Sequence, residues 1–120
     1  MVSRYTKEPV GAHYGIGDWL LQRLTAVVMA GYTIFVMGCL VAGRPSSYAD
    51  MKAMFSDGLI RVSTMLFFAA LIFHAWVGMR DILMDYIKQA GTRLALQAAV
   101  GVVLVMYLVW SASILFGARP

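Results

Sequence analysis

Residues 62–83 read VSTMLFFAALIFHAWVGMRDIL, an apolar run with one ionisable side chain, His74, near its middle and the charged pair Arg80-Asp81 close to its end. The run is bounded by Arg61 on one side and by Asp85-Tyr86-Ile87-Lys88 on the other. A helix needs about 20 consecutive apolar residues to cross the hydrocarbon core of a bilayer, and this run meets that length. It therefore predicts a transmembrane helix over 62–83.

Two further blocks of the same kind lie outward from it. One covers 20–43 and is closed by the breakers and turn formers Gly43-Arg44-Pro45-Ser46-Ser47. The other covers 94–116, opening after Gly91-Thr92-Arg93 and ending in Gly117-Ala118-Arg119-Pro120. Backbone polar groups in hydrocarbon must be bonded within the protein, so such segments are helices or barrel strands. Strict apolar/polar alternation, which marks a barrel strand, is absent. The fold class is all-α integral membrane, with three transmembrane helices. The connecting pieces are an N-terminal segment 1–19, loops 44–61 and 84–93, and a short C-terminus 117–120. Met51, Met54 and Phe55 recur at helical spacing in the first loop, predicting a short interfacial helix around 48–59.

Composition agrees. The chain is 61% hydrophobic and 13% charged, whereas soluble domains average about half and a quarter. The net charge of +4 comes from single Lys and Arg residues in the connections, with no basic run, which excludes nucleic acid as a partner. Three crossings put Arg4, Lys7, Arg23, Arg80, Lys88 and Arg93 on one side, and Arg44, Lys52, Arg61 and Arg119 on the other. The bias favours a cytoplasmic N-terminus and second loop, with the first loop and C-terminus periplasmic. The first block is longer than the ~7–15 residues of a signal-peptide core, so it is expected to be retained. Cys39, the single cysteine, excludes an intrachain disulfide or an iron–sulfur site within this chain and is expected to be a buried structural residue.

Histidine at mid-membrane depth is costly without a partner. His74 is either hydrogen-bonded to a neighbouring helix or a ligand. Ala70 and Gly78 flank its face by about 40° on either side, one turn away in each direction, and so favour a flat macrocycle or close helix packing. Neutral imidazole is the usual axial donor to haem iron. The other histidine, His13, lies upstream of the first block, so a six-coordinate haem needs its second ligand from another polypeptide. Arg23 lies roughly 7.5 Å deeper than Asp18 along a helix, within reach of a haem propionate or of lipid phosphates. Asp81 and Asp85 fall within about 20° of the His74 face if that helix persists, and Tyr86 about 120° from it. A phenol and carboxylates at a membrane border can hold a quinone carbonyl and relay its protons, or serve as ordinary interfacial polarity. Trp76, away from the segment ends where Trp19 and Trp110 fall, suggests a buried contact beside His74.

The run His74-Ala75-Trp76-Val77-Gly78-Met79, continuing to Asp85-Tyr86 and Lys88, resembles the middle helix of the hydrophobic membrane anchor family of succinate dehydrogenase (complex II). Leu21-Gln22-Arg23-Leu24-Thr25-Ala26 is similar to the start of that family's first helix. The likeness covers the chain from about Gly17 onward. It implies half of a heterodimeric anchor bundle that shares one haem b with a cytochrome b anchor subunit of the SdhC type. His74 is then an axial ligand, Arg23 lies near the propionates, Tyr86 hydrogen-bonds a ubiquinone carbonyl and Asp85 belongs to the same quinone site. It further implies an iron–sulfur subunit and a flavoprotein subunit as partners, and the bacterial inner membrane as location. A quinol–fumarate reductase anchor is the sister reading. A cofactor-free structural or transport protein is the reading from another class.

Overall fold

The computed structural model describes residues 15–117, and the expectations placed on His13, Arg4, Lys7 and Arg119 lie outside them. Four helices run in chain order: α1 (Gly15–Gly43), α2 (Tyr48–Ser56), α3 (Gly58–Tyr86) and α4 (Ala90–Phe116). Three of them, α1, α3 and α4, are long and apolar enough to cross a membrane. They hold 29, 29 and 27 residues. At 1.5 Å per residue that is roughly 40–44 Å, against a hydrocarbon core of about 30 Å, so each helix also crosses the head-group layers. The extra length appears at particular ends. α1 begins at Gly15, and α3 continues to Tyr86, so Asp85 and Tyr86 belong to the last helical turn rather than to a loop.

Breaks between helices have local causes. The last turn of α1 closes with Arg44 N donating to Leu40 O at 3.0 Å. Arg44 then turns left-handed at φ 41°, and Pro45 behind it cannot extend the helix. α2 opens on a capping box. Ser47 Oγ accepts from Asp50 N at 3.2 Å, and Asp50 Oδ2 accepts from Ser47 N at 3.1 Å. The same carboxylate takes Ser46 N and Ser46 Oγ at 3.1 and 3.0 Å. Asp57 alone separates α2 from α3: it ends the first and caps the second, accepting from Leu59 N and Ile60 N.

α3 is the middle helix, packed against α1 on one flank and α4 on another. Of the six buried residues among those described, five (Ile60, Thr64, Ala70, Val77 and Leu83) are on α3 and one, Thr25, is on α1. Elsewhere large apolar side chains face outward: Val27, Ile34, Met106 and Trp110 are all more than half exposed. In water that surface would be untenable, whereas lipid or another apolar chain solvates it. Cys39 is half-buried rather than buried, lining a cleft with Pro45, Asp50 and Met54 where α1 meets α2.

Polar side chains join α1 to α3 at three levels. Arg80 forms an ion pair with Asp18, Thr25 meets His74, and Tyr32 Oη lies 2.7 Å from Thr64 Oγ1. The α1 members are spaced by seven residues, which keeps them on one stripe. Tyr32 also stacks on Phe67, with ring centroids 4.6 Å apart. The α3–α4 contact is of another kind. Trp76 packs on Gly101 of α4, where an added Cβ would stand 3.4 Å from the indole Cζ3. Trp76 therefore packs against α4, about 200° around the helix from His74, and not beside the imidazole.

Gly101→Ala is expected to be tolerated. Gly101→Leu should force α4 away from Trp76 and cost roughly 1–3 kcal/mol, seen as a lowered thermal midpoint of the purified protein. The hydrogen bond from Ser46 N, then those from the Ser47 and Ser46 side chains, hold the Asp50 carboxyl below the usual carboxylate range. A pKa depressed by folding adds stability above the unfolded value of about 3.9, lost as pH falls through the folded one. Acidification below about pH 4 should thus lower the amide protection factors at the start of α2, with the intrinsic exchange rate divided out. Asp50→Asn should exchange fast at neutral pH with no further acid step.

Candidate functional site

His74 sits half-buried on the α1-facing side of α3. Its Nδ1 lies 3.0 Å from Thr25 Oγ1, while Nε2 has no hydrogen-bond partner among the described residues. Thr25 is only 6% exposed. Its hydroxyl also lies 2.8 Å from Leu21 O and 3.1 Å from Gln22 O, the back-bonding expected of a helical Thr. The imidazole is thus both a cross-helix hydrogen-bonding group, through one nitrogen, and an available donor through the other.

The small residues beside His74 serve close packing within the chain. At Gly78 the nearest side-chain atom to an added Cβ is Gln22 Nε2, 3.9 Å away, so this glycine admits α1. Ala70 is buried. Gln22 Oε1 is itself buried without a hydrogen-bond partner among the described residues. An orphaned amide oxygen is an unusual cost inside a membrane helix pair.

No cluster of three or more His, Cys, Asp or Glu that could hold a metal ion occurs among the described residues. A metal centre built on His74 therefore takes a single protein ligand from the described part of this chain. That fits an axial position on a haem iron, where four donors belong to the macrocycle. It does not fit a bare ion, which needs several protein donors at once.

Arg23 is exposed, and its guanidinium carbon lies 5.4 Å from the centroid of the Trp19 ring. On α1 it is about 200° from Thr25, so it stands on another face than the His74 contact. The stacking holds a cation at the outer flank of α1 without consuming its hydrogen-bond donors. Asp85 and Tyr86 are exposed as well, Tyr86 at 79%. α3 runs unbroken from His74 to Tyr86, so Asp81 and Asp85 do keep the stripe expected of them. Tyr86 lies about 18 Å along the axis from His74. The structure therefore joins His74 to α1 but does not bring Arg23, Asp85 or Tyr86 into contact with it.

Four residues whose contacts the sequence did not give matter here: Thr25, Gln22, and the Asp18–Arg80 pair. Arg80 lies at the junction of α1, α3 and α4, where Asp18, Met84, Arg93 and Gln97 line an open cleft with it. The seven-residue spacing of Asp18, Thr25 and Tyr32 was the available signal for two of them. Nothing in the spacing of α3 indicates its partners 80, 74 and 64, because Tyr32 and Arg80 reach along the helices by different amounts.

Residues 5–110 match the family model described as succinate dehydrogenase/fumarate reductase transmembrane subunit. A similar protein is the succinate dehydrogenase hydrophobic membrane anchor subunit of Coxiella burnetii, 38% identical over 105 residues that cover 88% of this chain and 91% of that one.

Proposed function

The chain belongs to the succinate dehydrogenase/fumarate reductase transmembrane subunit family, and from that premise we propose that it is the membrane anchor of a succinate:ubiquinone oxidoreductase that shares haem b with a companion cytochrome b anchor. In this reading it catalyses nothing alone. It fixes the flavoprotein and iron–sulfur subunits to the cytoplasmic face of the bacterial inner membrane, with its own C-terminus periplasmic. The single observation that carries the haem assignment is the free Nε2 of His74, on an imidazole already steadied through Nδ1.

His74 Nε2 would hold the haem iron from this chain, with the companion anchor providing the remaining protein ligand. The exposed Arg23 guanidinium, stacked on Trp19, pairs with a propionate at that subunit boundary. Bound haem supplies one-electron redox capacity. Arg23 also offsets negative charge at the membrane border, where an unpaired propionate would be poorly solvated.

At the cytoplasmic end of α3, the Tyr86 hydroxyl donates a hydrogen bond to a ubiquinone carbonyl, and the Asp85 carboxylate passes protons to it from solvent. Reduction to the quinol would take two electrons, supplied from succinate by the flavoprotein and iron–sulfur subunits, and two protons. The 79% exposure of Tyr86 supports a site completed by other subunits, because the described residues of this chain leave the phenol open. No feature of the chain favours fumarate reduction over succinate oxidation.

In the complex purified with its partners, His74→Ala is expected to abolish the low-spin haem b spectrum. A haem band unchanged in position and intensity would remove His74 as a ligand. Tyr86→Phe should lower ubiquinone reduction about 10²-fold or more while leaving succinate oxidation with a soluble artificial acceptor intact. Equal loss of both activities would mean failed assembly instead.

A further inference from the structure

We infer that Thr25 is a positioning residue whose hydroxyl accepts a hydrogen bond from His74 Nδ1–H, fixing the tautomer and ring angle that present Nε2 to a haem iron. The inference rests on the reading of His74 as an axial ligand.

Neutral imidazole carries one proton, on Nδ1 or on Nε2, and only an unprotonated nitrogen binds iron. A hydroxyl carries one proton and can accept others. Thr25 Oγ1 is within 3.1 Å of two carbonyl oxygens of its own helix, Leu21 O at 2.8 Å and Gln22 O at 3.1 Å. Its proton goes to these carbonyls, and its lone pairs face His74 Nδ1 at 3.0 Å. Nδ1 must then be the protonated nitrogen.

The opposite assignment has Thr25 donating to Nδ1 and places a proton on Nε2. Nε2 has no acceptor among the described residues. An N–H left unpaired inside a membrane protein is costly, whereas a bare lone pair awaiting iron has no proton to satisfy. Burial strengthens the case. With Thr25 only 6% exposed, solvent cannot exchange places with the hydroxyl, so the ring is held by a rigid helix–helix contact. An imidazole anchored through Nδ1 is also a more basic and better oriented ligand through Nε2.

The test uses the whole complex with Thr25→Val, which keeps the side-chain shape but has no hydroxyl, and Thr25→Ser, which keeps the hydroxyl. The first readout is haem loss to excess apomyoglobin. Thr25→Val is expected to bind haem roughly 10–100-fold less tightly, with Thr25→Ser close to wild type. The low-spin electron paramagnetic resonance signal should shift in Thr25→Val, because the ring is free to rotate about its bond to iron. Wild-type haem retention and signal in Thr25→Val, or a loss in Thr25→Ser equal to that in Thr25→Val, would overturn the inference.

Solid-state ¹⁵N spectra of the histidine-labelled wild-type complex, reduced so that the haem is diamagnetic, give a result that needs no variant to assemble. A protonated Nδ1 on His74 with an iron-shifted Nε2 is expected. An unprotonated Nδ1 overturns the role of Thr25. A protonated Nδ1 beside an Nε2 that carries no iron shift instead overturns the ligand reading while leaving the hydrogen bond in place.

Discussion

Polar side chains within an apolar helix pair have to find one another, because hydrocarbon offers them no other partner. The α1–α3 contact is organised by that requirement. Asp18–Arg80, Thr25–His74 and Tyr32–Thr64 succeed one another along the interface, from a charged pair near one end to a hydroxyl pair near the other. Each hydrogen bond of this kind is worth only about 0.6 kcal/mol on average in a membrane. What the three contribute together is register. A slip of one residue along α1 turns every member by about 100° and leaves three polar groups in hydrocarbon at once.

The same register gives His74 its double character. An imidazole has two nitrogens pointing in different directions, so structural and cofactor roles need not compete. Thr25 engages Nδ1 and leaves Nε2 of the half-buried ring without a partner among the described residues. By contrast α4 is attached mainly through shape, with Trp76 lying on the bare backbone of Gly101 and the Arg61 guanidinium over the Phe116 ring. Few residues of the chain are buried by its own packing, and apolar side chains on α1 and α4 remain outward. Such a surface suits a protein that is one part of a larger membrane assembly, in which partner helices and lipid complete what three helices cannot.

Much of the fold was legible residue by residue. Long apolar blocks had to be helices because no other open structure satisfies its backbone in a bilayer. Gly43-Arg44-Pro45 marked the first break, although Arg44, not the glycine, adopts the left-handed turn. Met51, Met54 and Phe55 marked α2, and the Ser47–Asp50 box that starts it follows the usual chemistry of helix N-termini. The helix ends were less legible. Interfacial turns carry Asp, Tyr and Gly that read as loop, yet remain helical because the head-group layer still favours internal hydrogen bonding. Asp85 and Tyr86 are such a case, as is the first turn of α1.

By itself the sequence determined the membrane as solvent, the number of crossings, and the presence of one costly imidazole at mid-depth, since hydropathy and length act along the chain without reference to neighbours. Tertiary structure alone decided what that imidazole touches. Which α1 residue meets His74 depends on the rotation and offset of two helices, and small residues such as Gly78 permit several. Only their packing shows that Thr25 occupies Nδ1, that Trp76 turns to α4, and that Arg80 pairs with Asp18 rather than with its sequence neighbour Asp81.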